Sequence, residues 1–370
     1  MGLRTTTAAA ALGLGFALTT PPATAGDRIT ITDTEGRRVE VPHGAERVLL
    51  GFYFEDFYAI VGEDAYDRVV GISREAWEGW RNAQYRAYLA VAPKIGKLAD
   101  VGYQESGGFS LETAIAARPD VAILAGWQYR GIGEEGTAKL EAAGIPVAVV
   151  DYNAQTLEKH LQSTRVIGRV MAAEDRAEQL AKEYEAAVTD VARRVEAAGG
   201  APSRVYVELG RAGPGEYGNS YGAVMWGGVI KMAGGDNIAE GKVERWGPLN
   251  PEYVIAQNPR AVFLAGSDWA GREQAVLMGF GVSEATTRAR LRAYTSRPGW
   301  AGLDAVKNGE LHAIYHGGSR TLYDYVFLQY IAKVLHPEAF EDVDPQANHR
   351  RFYETYLPIE ADGSFMVKLD

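Results

Sequence analysis

The chain has 370 residues, with 38 lysines and arginines against 48 aspartates and glutamates, for a formal net charge of −10. That acidity argues against nucleic acid as a partner, which calls for a basic face. Cysteine is absent, which removes disulfides, thiolate metal sites, iron–sulfur clusters and cysteine nucleophiles from consideration.

The amino terminus, residues 1–25, reads as a cleavable export signal. Arg4 gives the positive start, Ala8 to Leu18 an apolar stretch too short to span a bilayer, and Ala23-Thr24-Ala25 a small-residue cleavage site. No cysteine follows for lipid attachment, and no later stretch has the length of a transmembrane helix. The mature protein is therefore expected to be exported, unlipidated and periplasmic. Its remaining length exceeds what one core serves, so two lobes are expected.

The first lobe, residues 26–153, opens with RITITDTEGRRVEVP, an alternating hairpin pattern turning at Glu35-Gly36. ERVLLGF follows as a buried strand, FEDFYAIVGED as a helix ending near Gly62, and RVVGIS as another strand. EAWEGWRNAQYRAYLAVAPKIG is an insert. Read as a helix, it puts Trp77, Trp80 and Gln84 on one face, a stripe better suited to packing on the lobe than to capping a cleft. SLETAIAARPDVAILAG (110–126) is a capped helix, a proline stop and a buried strand. GTAKLEAAGIPVAVVDYN is a helix closed by Gly144, then a strand. Strands alternating with helices indicate a doubly wound parallel sheet.

Residues 154–198 are a helical linker. In its last part Leu180, Tyr184, Val188, Val191 and Val195 recur at i, i+4, i+8, i+11 and i+15, one apolar stripe on a helix roughly 36 Å long. No proline or glycine interrupts it, so it is read as a stiff bridge between lobes. The second lobe, residues 199–370, repeats the rhythm of the first. RVYVELG is a strand and YGAVMWGGVIKMAGG a helix ending at a glycine pair. NPEYVIAQNPRAVFLAG (250–266) then matches 110–126 at Glu112/Glu252, Ile115/Ile255, Ala116/Ala256, Pro119/Pro259 and Leu124/Leu264. Asn250 caps the second copy as Ser110 caps the first, and Pro251 occupies the first helical position. GLDAVKNGELHAIYHG closes the correspondence as helix, glycine and strand.

These segments, together with KIGKLADVGYQESGG and MAGGDNIAE, resemble the periplasmic substrate-binding proteins of ABC importers for iron–siderophores, haem and cobalamin. The resemblance covers nearly all of the mature chain. It implies two doubly wound, Rossmann-like α/β lobes with parallel sheets, joined by a single long bridging helix, with a ligand cleft between them. It also implies a monomer that performs no chemistry and docks on an inner-membrane ABC permease dimer through one exposed acid per lobe. The matching positions are Glu112 and Glu252. An acid in the first turn of a helix also complements the helix dipole whether or not a partner exists.

In doubly wound sheets ligands bind beyond the carboxyl ends of the strands. The candidates are thus Tyr53, Phe54 and Glu55, then Tyr103 and Glu105, then Trp127 and Tyr129 in the first lobe. In the second they are Glu216, Tyr217, Ser220 and Tyr221, then Arg245, Trp246, Trp269, His316, Arg320 and Tyr323. Two chemistries suit this set. One is an aromatic wall around a planar or aromatic-rimmed ligand, with Arg245 and Arg320 offsetting its negative charge. The other is direct coordination of a hard cation by Tyr53, Glu105, Tyr221 and His316. The expected cargo is Fe(III) or a ferric chelate of the siderophore type, with haem and cobalamin as alternatives.

An enzyme on the same scaffold is the competing class. His312 and His316 bracket a predicted strand at even spacing, but no HxH, HExxH or GxSxG pattern accompanies them.

Overall fold

The computed structural model describes Gly2, residues 27–104 and residues 107–370. Apart from Gly2, the expected export signal lies outside the described residues, as does Glu105. Strands β1 (Arg28–Thr32) and β2 (Arg38–Pro42) form the expected antiparallel hairpin. Asp33 closes its turn by accepting from the amides of Glu35 and Arg37, and Gly36 takes a left-handed φ of 78° there.

The first lobe continues with β3 (Val48–Leu50), α1 (Phe54–Val61), β4 (Val69–Ile72), α2 (Asn82–Val91) and β5 (Ala99–Asp100). Then come α3 (Leu111–Ala116), β6 (Val121–Ala125), α4 (Gly126–Ala142) and β7 (Val147–Val150). Its five-stranded sheet runs β5-β4-β3-β6-β7, with every pair parallel. The central strands β3 and β6 and the edge strand β7 are buried along their whole length, as a parallel sheet covered on both faces requires.

Helix α5 (Leu157–Met171) packs on β7 and α1 of this lobe. Helix α6 (Glu174–Ala198), 25 residues long, lies against α5 and α1. Beyond it come β8 (Arg204–Leu209), β9 (Asn219–Tyr221), α7 (Trp226–Met232), β10 (Asp236–Asn237), β11 (Trp246–Pro248), α8 (Pro251–Gln257) and β12 (Ala261–Gly266). The chain ends with β13 (Gly279–Phe280), α9 (Glu284–Tyr294), α10 (Asp304–Lys307), β14 (Leu311–Tyr315), α11 (Tyr325–Leu335), α12 (Pro345–Tyr356), β15 (Gly363–Ser364) and β16 (Met366–Lys368).

The second sheet runs β10-β8-β12-β14-β16, parallel except for the antiparallel edge strand β16. Its β10-β8-β12-β14 core matches β4-β3-β6-β7 position for position. The sequence repeat is thus α3–β6 in one lobe and α8–β12 in the other. Both caps form. The Ser110 hydroxyl accepts from the Thr113 amide, and the Asn250 side chain accepts from the Glu252 and Tyr253 amides.

Helix α6 bridges the lobes, touching α1 and α5 on one side and α11 on the other. Leu180, Tyr184, Val188 and Val191 form its buried stripe. Among the described residues no helix is long and apolar enough to cross a membrane.

Three segments differ from the sequence reading, each for a local reason. Helix α4 begins at Gly126 directly after β6, so Trp127 and Tyr129 lie on a helix and not on a loop; the helix kinks at Gly133, where φ is 70° and ψ −179°. Helix α7 starts only at Trp226, because Tyr221 is held in β9 opposite Trp246. In the insert, a π-helical turn (Glu75–Gly79) that holds Trp77 and ends at Trp80 precedes α2, so the two tryptophans do not share one α-helical face. Trp77 is fully buried, stacked on Phe54 at 4.3 Å, and donates to the Gln84 side chain, whereas Trp80 is only half-buried.

Candidate functional site

The carboxyl ends of both sheets face one cavity between the lobes, enclosing about 660 Å³ of open space with the solvent at its mouth included. Phe52, Ala76, Trp80, Tyr103, Trp127 and Asn153 line it from the first lobe. Leu209, Asn219, Tyr221, Met225, Trp246, His316 and Arg320 line it from the second. The backbone is bent to make this surface. Tyr53, Met225 and Arg320 adopt φ of 58°, 51° and 60°, a region that costs a non-glycine residue roughly 1–3 kcal/mol and persists only where the surroundings impose it.

The walls are aromatic rings backed by arginines. The Arg81 guanidinium carbon lies 5.0 Å from the Phe52 ring centroid, and that of Arg320 lies 5.3 Å from the same ring. Arg211 stands 4.7 Å from the Trp80 ring and Arg245 5.1 Å from Trp246. Among the described residues, none of these four guanidinium groups has a carboxylate within 4.0 Å. Arg81 Nη2, Arg211 Nε, Arg245 Nε and Arg320 Nε are buried without a hydrogen-bond partner. Buried donors left in this state are costly, and of the four it is Arg320 that lines the cavity, where an acceptor from outside the chain can reach it.

The field of these cations acts on the cavity's titratable groups. Burial, then the charges of Arg320, Arg81 and Arg211, push His316 well below the ordinary imidazole range, so it is neutral. Burial, then Arg81, lowers Arg320 to about 10, which leaves it charged at neutral pH. The Tyr221 hydroxyl lies 3.4 Å from His316 Nδ1, and burial raises its pKa despite the opposing charge of Arg320.

Of the residues expected at the site, Tyr103, Trp127, Tyr221, Trp246, His316 and Arg320 come together on the cavity wall. Arg245 backs Trp246, and Trp269 lies behind His316 at a ring separation of 6.0 Å, its Nε1 buried without a partner.

The rest are placed elsewhere. The Tyr53 hydroxyl donates to the Asn153 side chain at 2.7 Å. Glu55 and Tyr323 are bonded to each other in the interior at 2.6 Å. Tyr129 is two residues after Trp127 on α4, about 200° around the helix, and its ring meets Arg37 instead of the cavity. Tyr217 accepts from Trp300 Nε1 at 2.7 Å and lies 4.2 Å from the Arg297 guanidinium carbon. That arginine is paired with buried Glu208 at 2.7 Å and also accepts the task of holding the 213–216 loop through the carbonyls of Gly213, Pro214 and Glu216. Ser220 donates to the Val207 carbonyl. Of the expected direct-coordination set, Tyr53 is turned to Asn153, Tyr221 and His316 face one another at the cavity wall, and Glu105 lies outside the described residues. His312 is occupied by Tyr330 and Glu310, away from His316. Among the described residues no group of three His, Cys, Asp or Glu is arranged to hold a metal ion.

Sequence reasoning missed Phe52, Trp80, Asn153, Asn219 and Met225 on the wall, and Arg81 and Arg211 behind it. Phe52 and Arg211 follow the ends of β3 and β8 by two residues and were legible by the same strand-end rule. Trp80 and Arg81 sit in the insert, where no strand end points to them. Glu112 and Glu252 are exposed at equivalent second positions of α3 and α8, one on each lobe.

Residues 48–316 match the family described as periplasmic binding protein. The vitamin B12-binding protein of Salmonella typhi is 28% identical over 189 residues, 49% of this chain and 63% of that protein. The chain thus spans less than two thirds of the length of the curated relatives it matches. Among solved structures, the TroA-like periplasmic binding protein FepB from Veillonella parvula is 33% identical, with a TM-score of 0.86 over 92% of this chain and all (100%) of that one. A periplasmic heme binding protein from Pseudomonas aeruginosa shares the fold at a TM-score of 0.58 and 19% identity, covering 88% of this chain and 98% of that one.

Proposed function

The chain belongs to the periplasmic binding protein family, and from that premise we propose that it captures an anionic ferric chelate of the siderophore type and passes it unchanged to an ABC permease. The observation that carries this reading is the set of four arginines, Arg81, Arg211, Arg245 and Arg320, each against a ring of the cavity wall. Their charges favour an anionic cargo, and Arg320, on the wall itself, has an unpartnered N–H that calls for an acceptor oxygen. The rings of Phe52, Trp80, Tyr103, Trp127, Tyr221 and Trp246 supply flat apolar surface. A catecholate complex combines these needs, with aromatic edges, many oxygens and net negative charge.

The vitamin B12-binding relatives and the neutral His316 beside Tyr221 support a second reading, a tetrapyrrole-like cargo such as cobalamin or haem. The charge balance favours the first, because cobalamin offers the guanidinium groups a single phosphate. Glu112 and Glu252, matched in position on the two lobes, suit the docking of both lobes on a two-fold permease. Fluorescence titration tests the cargo, since Trp80, Trp127 and Trp246 line the cavity. Saturable quenching by ferric tris-catecholate, with little by cyanocobalamin or haem, is expected; tighter quenching by either tetrapyrrole would reverse the assignment.

A further inference from the structure

Beneath the cavity, two consecutive acids of the first lobe grip the second lobe. The Glu55 carboxylate, 2% exposed, accepts from Gln84 Nε2 at 2.7 Å and the Tyr88 hydroxyl at 3.0 Å, both from its own lobe. It also accepts from the hydroxyls of Tyr323 at 2.6 Å and Tyr353 at 2.9 Å, both from the other. Asp56 Oδ1 accepts from the Leu322 amide at 2.6 Å. Asp324, next to Tyr323, accepts from Gln155 Nε2 at 3.0 Å and from the Tyr184 hydroxyl of the bridging helix at 2.9 Å, with His160 Nε2 at 3.1 Å. Leu322, Tyr323 and Asp324 are therefore each held from outside their lobe.

These contacts lie at the far ends of the two segments that form the cavity wall. Phe52 is three residues before Glu55, while Arg320 is two residues before Leu322. Arg320 is itself in a left-handed conformation, φ 60°, which a free loop would not keep. Glu55 does not line the cavity. Buried carboxylates are a poor source of stability against apolar packing, but four directional donors on one carboxylate fix a geometry.

We propose that Glu55 is a positioning residue for the cavity: as the hub of a hydrogen-bonded clasp between the lobes, it fixes the 316–324 segment and, through it, the Arg320 guanidinium over Phe52. In its consequence for cargo this rests on the reading of the cavity as the ligand site.

Hydrogen exchange on the unliganded full chain tests the clasp without any ligand. Glu55→Ala is expected to raise exchange at amides 319–324 by about tenfold, the equivalent of one or two lost buried bonds, while β6, β12 and α6 keep their protection. Glu55→Gln keeps one acceptor oxygen for the tyrosine hydroxyls and is expected to recover part of the effect. If Glu55→Ala does not fold, Tyr323→Phe removes one donor and is expected to raise the same amides by about threefold. Unchanged exchange at 319–324, or an equal rise at β6 and β12, overturns the proposal. With ferric tris-catecholate as probe, Glu55→Ala is expected to bind about tenfold more weakly and Glu55→Gln to be partly rescued; wild-type affinity in Glu55→Ala also overturns it. A wild-type protein that ignores ferric tris-catecholate overturns the cargo reading alone, since the exchange result stands without it.

Discussion

The Arg320 guanidinium, carried by the C-terminal lobe, stands 5.3 Å from the centre of the Phe52 ring, carried by the N-terminal lobe. Arg81 approaches the same ring to 5.0 Å. Two cations near one ring repel each other in a medium that screens them poorly, and Arg81 lowers the pKa of Arg320 as a result. The ring's π face offsets part of that cost. Glu55 and Asp56 lie on the side of Arg81 that faces the clasp; burial raises the pKa of both carboxyls, and the charge of Arg81 opposes that rise. An anion in the cavity relieves the remainder, which links the fold's local strain to ligand capture.

Removing one cation follows from this. Arg320→Ala is expected to weaken ferric tris-catecholate binding by about 10–100-fold and to flatten its salt dependence. Arg320→Lys recovers only part, because a point charge cannot reproduce a planar fork stacked on a ring. Calorimetric titration at two ionic strengths checks both; equal affinity in Arg320→Ala would remove the arginine from the site.

The two tryptophans of the insert are expected to behave differently. Trp77→Ala leaves a cavity under Phe54 and costs about 3–5 kcal/mol of stability. Trp80→Ala, on the cavity wall, changes stability little but reduces both ligand affinity and the quenching signal. Denaturant melts beside fluorescence titrations separate them, and the reverse pattern would contradict the placement of Trp80.

The acids at the start of α3 and α8 give a transport prediction. Glu112→Ala with Glu252→Ala leaves ligand affinity at the wild-type value and abolishes uptake in cells supplied with the matching permease. Each substitution costs only the helix-dipole contribution, ~0.3–1 kcal/mol. Normal uptake by the double variant would end the docking role.

Asp56 gives a pH prediction. Burial raises its carboxyl from the ordinary 3.8 to about 7, the Leu322 amide opposing and Glu55 adding to the shift. Between those values the native protein holds a proton that the unfolded chain releases. Its contribution to stability is thus full below about pH 4 and is lost as pH rises through about 7. Asp56→Asn keeps an acceptor for the Leu322 amide and has no charge to bury. The variant's stability relative to wild type is therefore expected to climb from about pH 4 to pH 8 and then level. Urea titrations across that range check it, and a flat difference would mean that Asp56 does not titrate with folding.

Much of this was legible in the chain itself, for physical reasons. Ser110, Asn250, Pro251, Pro119 and Pro259 act within a few residues of themselves, so the repeated helix and strand could be read locally. The stripe on α6 is a periodic signal of the same kind. The strand-end rule found Tyr221, His316 and Arg320 because it follows from the topology of the sheet, while Trp246 was read from its place before the repeated helix. It could not find which way a side chain turns. Glu55 and Tyr323 follow strands in opposite lobes, yet they meet each other below the cavity, a pairing 268 residues apart that no local pattern announces. Tyr129 missed the cavity because α4 starts without a loop, turning it towards Arg37. Arg81 lay hidden in the insert, between its π-helical turn and α2.

The most direct measurement is anomalous scattering at the iron edge from crystals grown with ferric tris-catecholate. The account predicts one iron peak per chain, between the rings of Trp80 and Trp127 on one side and Tyr221 and Trp246 on the other, with ligand oxygens meeting Arg320 and its neighbouring guanidinium groups. An iron peak only on the outer surface, or a cavity holding nothing but water at saturating ligand, would contradict it.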